Sequence, residues 1–158
     1  MSDDKKITVT RTIDASASDI FDVLSLPARH VELDGSGFVQ SVDHGDRITA
    51  TGQKFTMNMS GDHMGGDYQT DNHVTGYDDG KLLAWQTAPA GTEPPGWQWV
   101  WELAPQGPDS TEVTHTYDWT RLTDPRRVER ARSTTTGRLQ ASIERLASVH
   151  GWGLATGD

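Results

Sequence analysis

The stretch Trp97-Gln98-Trp99-Val100-Trp101-Glu102-Leu103 decides how this chain is read. Three of the six tryptophans stand here at alternate positions. A β-strand sends successive side chains to opposite faces, so Trp97, Trp99, Trp101 and Leu103 share one face and Gln98, Val100 and Glu102 the other. One strand cannot hide three indoles. A second layer must fold over that face, either as packed core or as the far wall of a cavity that holds a ligand.

Downstream, residues 105–109 read as a turn. Residues 111–120 then alternate as a strand with Val113, His115, Tyr117 and Trp119 on one face. Upstream, residues 89–96 form a loop rich in proline and glycine, preceded by a strand over 82–87 that contains Trp85. Asp78-Asp79-Gly80-Lys81 is a tight turn after a long polar strand over 67–77. One face of that strand carries Tyr68, Thr70, Asn72 and Val74, and the other carries Gln69, Asp71, His73, Thr75 and Tyr77. Residues 47–51 with 53–59 read as a strand or strand pair around Gly52, with Phe55, Met57 and Met59 together. Residues 61–66 are a loop, and 38–42 are a further strand.

The chain opens with a β-branched strand over 7–13. Ser16 and Asp19 then resemble a capping box for a short helix with Ile20, Phe21 and Leu24 on one side. Pro27 suits the first turn of another short helix reaching Glu32, which 34–37 stop. At the far end, Asp124-Pro125 reads as an N-cap with proline following, then an arginine-rich turn or helix to Arg132. Ser133 or Thr134 starts a longer amphipathic helix to about Val149, with Leu139, Ile143, Leu146 and His150 on one side. The order is strand, short helices, about six strands, long helix. It predicts an α+β domain in which helices cover one face of a curved antiparallel sheet.

Composition narrows the function. At 158 residues the chain is expected to be one domain, 1–158, with its core over about 5–150. The mean hydropathy is −0.64, polar for a folded chain, and 16 glycines and seven prolines supply turns. There is no cysteine, which removes disulfides, thiolate metal sites and cysteine nucleophiles. No apolar run opens the sequence or approaches the ~18 residues of a membrane span, so the expectation is a cytoplasmic protein without integral membrane association. The net charge of −9 argues against nucleic-acid binding, which needs a basic footprint. The charge is uneven: residues 1–120 carry −12, and residues 121–158 carry +3 through seven arginines. A solvated arginine-rich face is the plain reading, and a site for an anionic partner is the sharper one.

The opening Val9-Thr10-Arg11-Thr12-Ile13-Asp14-Ala15-Ser16-Ala17-Ser18-Asp19-Ile20-Phe21, the strand Asn72-His73-Val74-Thr75-Gly76-Tyr77 and the strand Thr111-Glu112-Val113-Thr114-His115-Thr116-Tyr117-Asp118-Trp119 carry a family resemblance. The chain resembles the START-like (SRPBCC, helix-grip, polyketide cyclase/dehydrase-type) superfamily over residues 5–150, and within it the small single-domain actinobacterial members. That resemblance implies a seven-stranded sheet gripping the long C-terminal helix, with a cavity between them. It does not fix a function, because the superfamily includes lipid carriers, hormone receptors, cyclases and chaperone activators.

Candidate residues follow from the inward faces. Trp85, Trp97, Trp99 and Trp101 would wall a flat or greasy ligand, or simply form core. Phe55, Met57, Met59 and Met64 would add an adaptable surface. Tyr68 and Asn72 share a face on which Asn72 would orient a carbonyl or hydroxyl. His115 and Tyr117 would place an imidazole and a phenol in apolar surroundings, suited to proton transfer or to polarising a carbonyl. A bulge would exchange these faces. Asp62, His63, Asp67 and His73 match no metal-binding spacing, and no metal or cofactor is expected. His30 and Glu32 would stand by the cavity mouth, at the surface. No nucleophile elbow, phosphate loop or dinucleotide fingerprint occurs.

Three functions stay open. The first is a monomer or homodimer that binds a small hydrophobic molecule (lipid, polyketide-like or aromatic). The second is a cyclase/aromatase-like enzyme, for which no defined catalytic motif is present. The third is a protein-interaction domain of co-chaperone type with no ligand.

Overall fold

The computed structural model describes residues 5–30, 39–61, 65–132 and 134–154. The expected loop at 34–37, the strand start at Phe38, and Glu32, Asp62, His63, Met64 and Ser133 lie outside them. Strand β1 (Lys6–Asp14) leads into helix α1 (Ala17–Leu24) and a 3-10 turn (Pro27–Arg29). Six strands follow: β2 (Val39–His44), β3 (Lys54–Gly61), β4 (Gly66–Asp78), β5 (Leu82–Pro89), β6 (Gln98–Gly107) and β7 (Ser110–Asp118). Helices α2 (Pro125–Arg132) and α3 (Thr136–Val149) and a two-residue strand β8 (Gly153–Leu154) complete the chain. The strands pair antiparallel in the order β2-β3-β4-β5-β6-β7-β1-β8. The seven long strands are those the sequence predicts; β8 adds a short edge beside Ile13 and Asp14.

The helix starts obey the capping chemistry read from the sequence. Ser16 Oγ accepts the Asp19 N–H at 3.1 Å, and the carboxylate of Asp124 accepts the Arg126 N–H at 3.0 Å. These bonds satisfy amides that the first helical turn leaves without partners. The long helix begins slightly later than expected, with Thr135 as its cap. The short helix expected from Pro27 opens as a 3-10 turn, Pro27–Arg29, with His30 helical after it, and its expected end at Glu32 lies outside the described residues.

Register aligns the inward side chains into rows across the sheet. One row runs Ile7, Tyr117, Trp99, Trp85, Val74, and the next runs Val9, His115, Trp101, Leu83, Tyr77. Helix α3 packs on β1, β7 and β8, whereas α1 packs on β6. The helices thus share the cover of the apolar face, and α1 lies against the tryptophan strand.

Three departures from the sequence reading have local causes. Residues 45–53 are not a strand. The Gln53 side chain accepts the Thr49 and Ala50 amides at 2.6 and 2.8 Å, closing a loop that competes with ladder pairing. Arg47 and Ile48 then tie that loop to α1 and Ser25. In β4 a register shift between Val74 and Gly76 leaves Thr75 unpaired and carries Tyr77 to the inward face. Tyr77 there meets Phe21 edge-on, with ring centroids 5.7 Å apart. Finally, β6 runs through Pro105 to Gly107, so the turn to β7 is tighter than the expected five residues.

Candidate functional site

Burial is graded down the inward face. Leu83, Trp101, Leu103, Val113 and His115 are buried beneath the helices, Trp101 at 1% exposure. Toward the β5–β6 loop the same face opens. Trp97, Trp99, Thr87, Pro89, Tyr68 and Met59 are each half-buried. They form a continuous band, because Tyr68 pairs with Met59, Thr70 pairs with Pro89, and Trp97 Nε1 donates to the Thr87 carbonyl at 2.6 Å. At the β3–β4 edge an open cleft of about 490 Å³ draws on both sheet faces: Met59 and Tyr68 from the band, Asn58, Asp67 and Gln69 from the opposite face, and Gln40 of β2.

The predicted residues divide along this gradient. Phe55, Met57, Trp85 and Trp101 are core. His30, expected at the surface, is buried between Phe55 and Trp85, with ring centroids 5.3 and 5.0 Å away. Its Nε2–H donates to the Leu24 carbonyl at 2.7 Å, which holds it inside where a mouth residue was expected. Sequence spacing gave no sign of this, because the groups that hold His30, the Leu24 carbonyl and the Phe55 and Trp85 rings, belong to other elements. Asn72 is buried and bonded by the protein itself. Its amide donates to the Phe55 carbonyl at 3.3 Å, and its oxygen accepts the Thr87 hydroxyl at 2.8 Å. It braces the inner wall; orienting a ligand would require breaking these bonds.

His115 and Tyr117 both face inward, as the alternation predicts, at 3% and 5% exposure. The His115 ring stacks on Trp101 at 3.8 Å and on Trp99 at 5.6 Å between centroids, and Tyr117 stacks on Trp99 at 4.2 Å. Nδ1 lies 3.0 Å from the Val100 carbonyl. A carbonyl only accepts, so Nδ1 carries the proton and Nε2 keeps its lone pair. Burial drives the imidazole pKa down to about 4, against a smaller opposing effect of that hydrogen bond. At neutral pH His115 is therefore an uncharged acceptor in an aromatic stack. The most effective general bases have a pKa near working pH, and His115 lies well below it. Trp101 Nε1 and Trp119 Nε1 are buried with no hydrogen-bond acceptor among the described residues. Each such group costs about 1–3 kcal/mol relative to a satisfied one.

On the opposite sheet face Asp71 is a structural hub. Its carboxylate accepts the Thr56 hydroxyl at 2.7 Å and the Gly91 N–H at 2.8 Å, with Lys54 Nζ 3.9 Å away. Burial pushes its pKa up, but the Gly91 and Thr56 hydrogen bonds and the Lys54 and His73 charges outweigh this and hold it below the ordinary value. Asp71 thus pins the β5–β6 loop that leads into Trp97. Among the described residues no group of three or more histidine and acidic side chains is placed to hold a metal ion. No described helix is long and apolar enough to cross a membrane.

A sheet gripping a C-terminal helix, with the inward face opening at one end, defines the START-like helix-grip class, and solved structures bear this out. The chain superposes on a protein of Mycobacterium smegmatis, Ms6760, with a TM-score of 0.68 at 14% identity, over 94% of this chain and 92% of that one. An HSP90 activator from Plasmodium falciparum matches with a TM-score of 0.63 at 11% identity, over 96% and 99%. The family described as "Polyketide cyclase / dehydrase and lipid transport" matches residues 4–151, and the chain belongs to it. The uncharacterized protein Rv0088 of Mycobacterium tuberculosis is 32% identical over 113 residues, 70% of this chain. That match spans 47% of the relative, so the chain covers about half the length of the curated protein it resembles.

Proposed function

We propose that this protein binds a small hydrophobic molecule, a lipid, polyketide-like or aromatic compound, against the half-buried band of Trp97, Trp99, Thr87, Pro89, Tyr68 and Met59. The observation that carries the reading is the gradient on one sheet face, from sealed core to half-exposed aromatic wall. Apolar pockets are lined mainly by such side chains, with few polar groups. Methionine and tyrosine at the cleft end add adaptable contact. Family membership agrees with this reading. The buried, uncharged His115 favours binding over proton abstraction, so a cyclase-like step is the weaker reading. The test is native mass spectrometry of the purified protein, followed by denaturing extraction. A reproducible added mass of a few hundred daltons that extracts into organic solvent is the expected result. An apo mass, together with unchanged tryptophan emission across a panel of lipids and aromatics, would overturn the proposal.

A further inference from the structure

Helix α2 places a cation on the rim of the band. The Arg127 guanidinium carbon lies 6.0 Å from the centre of the Trp97 ring, a cation–π distance. The backbone beneath is in direct contact: a Cβ on Gly96 would lie 2.5 Å from Arg121 carbon and 2.7 Å from Leu122 nitrogen. The segment that opens α2 therefore rests on the residue before Trp97. The pairing of Arg127 within the protein is loose. Its Nε is 3.8 Å from an Asp124 carboxylate oxygen, and the other oxygen of Asp124 is already engaged by the Arg126 N–H. Among the described residues the terminal guanidinium nitrogens of Arg127 have no hydrogen-bond acceptor. Arg121, Arg126 and Arg132 are exposed on the same segment, with Glu129 the one exposed acid within the helix. This is the positive part of a chain whose net charge is −9.

Building on the hydrophobic-ligand reading above, we infer that the ligand is an amphipathic acid, its apolar body against Trp97 and Trp99 and its carboxylate on Arg127. A guanidinium fork matches a carboxylate with two parallel hydrogen bonds, and a half-buried position shields that pair from water. Outside this C-terminal segment the chain is acidic on balance, −12 over residues 1–120. An uncharged ligand of the same body would gain the aromatic contacts but not the fork.

The experiment titrates tryptophan emission with two matched pairs: decanoate against decan-1-ol, and 2-naphthoate against 2-naphthylmethanol. In wild-type protein the acid of at least one pair should bind at least about tenfold more tightly than its alcohol, the factor that one charge-assisted hydrogen bond supplies. That ratio should fall as salt rises. It should collapse in Arg127→Gln, be partly retained in Arg127→Lys, and persist in Arg132→Gln, which removes the same charge elsewhere on α2. Equal binding of acid and alcohol by the wild type, or equal loss of preference in the Arg127 and Arg132 variants, overturns the acid assignment alone. Binding of none of the four compounds, with circular dichroism showing a folded protein, overturns the hydrophobic-ligand reading beneath it.

Discussion

His115 illustrates how position on a strand fixes the chemistry of one side chain. Alternation along β7 turns it inward, register sets it opposite Trp101, and burial beneath the helices keeps it uncharged. Its pKa falls from the ordinary 6.5 to about 4 on folding. Between these values the unfolded chain binds a proton that the folded protein refuses. The stabilising contribution is therefore complete above pH 6.5 and is lost as pH falls toward 4. The slope approaches about 1.4 kcal/mol per pH unit inside that window. Urea unfolding at several pH values should show this slope in the wild type and lose it in His115→Gln, whatever the variant costs at neutral pH; identical slopes would refute the assignment. The orientation of His115 was legible in the sequence because nothing interrupts the alternation of β7. Its protonation state was not, because that depends on how completely Trp99, Trp101 and the helices exclude water. For Asn72 the sequence located the face correctly, but only the neighbouring strands reveal that Phe55 and Thr87 already take up its hydrogen bonds.

At the scale of elements, the β5–β6 hairpin is the piece that shapes the open end. It is held at two points: Asp71 grips the Gly91 amide, and Gly96 lies flat on the Arg121–Leu122 backbone. Both glycines have positive φ, +81° at Gly91 and +132° at Gly96, but only Gly96 lacks room for a side chain. Gly91→Ala should cost about 1 kcal/mol, the left-handed penalty alone. Gly96→Ala must add a collision with main chain that cannot swing aside, and its cost should exceed that of Gly91→Ala by at least about 2 kcal/mol. Equilibrium denaturation of the two variants makes the comparison, and equal midpoints would mean that the hairpin does not rest on the α2 segment. The element order was legible from periodicity and turn residues, and the caps at Ser16 and Asp124 formed as their chemistry requires. The irregularities were not. The loop closed by Gln53 and the bulge at Thr75 depend on which hydrogen bonds win once neighbouring segments are in place, and the alternation of 47–51 and 73–77 alone cannot report that. The arginine-rich helix read as a solvated face because sequence distance hides its approach to Trp97.

Taken whole, the molecule uses one sheet face for two purposes, and the tryptophan strand crosses the boundary between them. Trp101 belongs to the sealed end and Trp99, two residues earlier, to the open band. That division predicts opposite outcomes for the same substitution. Trp101→Ala removes a fully buried indole and should cost about 3–5 kcal/mol, a large part of the stability of a domain this size. Trp99→Ala removes a half-buried ring whose main described partners are Tyr117 and His115. It should cost less, about 1–2 kcal/mol, and leave a folded protein. Ligand linkage separates the roles further. A ligand held at a hundred times its dissociation constant stabilises the folded state by about 2.7 kcal/mol, which for a domain of this length raises the melting temperature by about 5–10 °C. The shift should saturate in the wild type and shrink toward zero in Trp99→Ala at the same ligand concentration. In Trp101→Ala the baseline melting temperature should collapse before ligand is added. A full shift in Trp99→Ala would move the binding surface off the tryptophan strand and toward the cleft beside Met59 and Tyr68, since those are the half-buried apolar residues on the band farthest from Trp99.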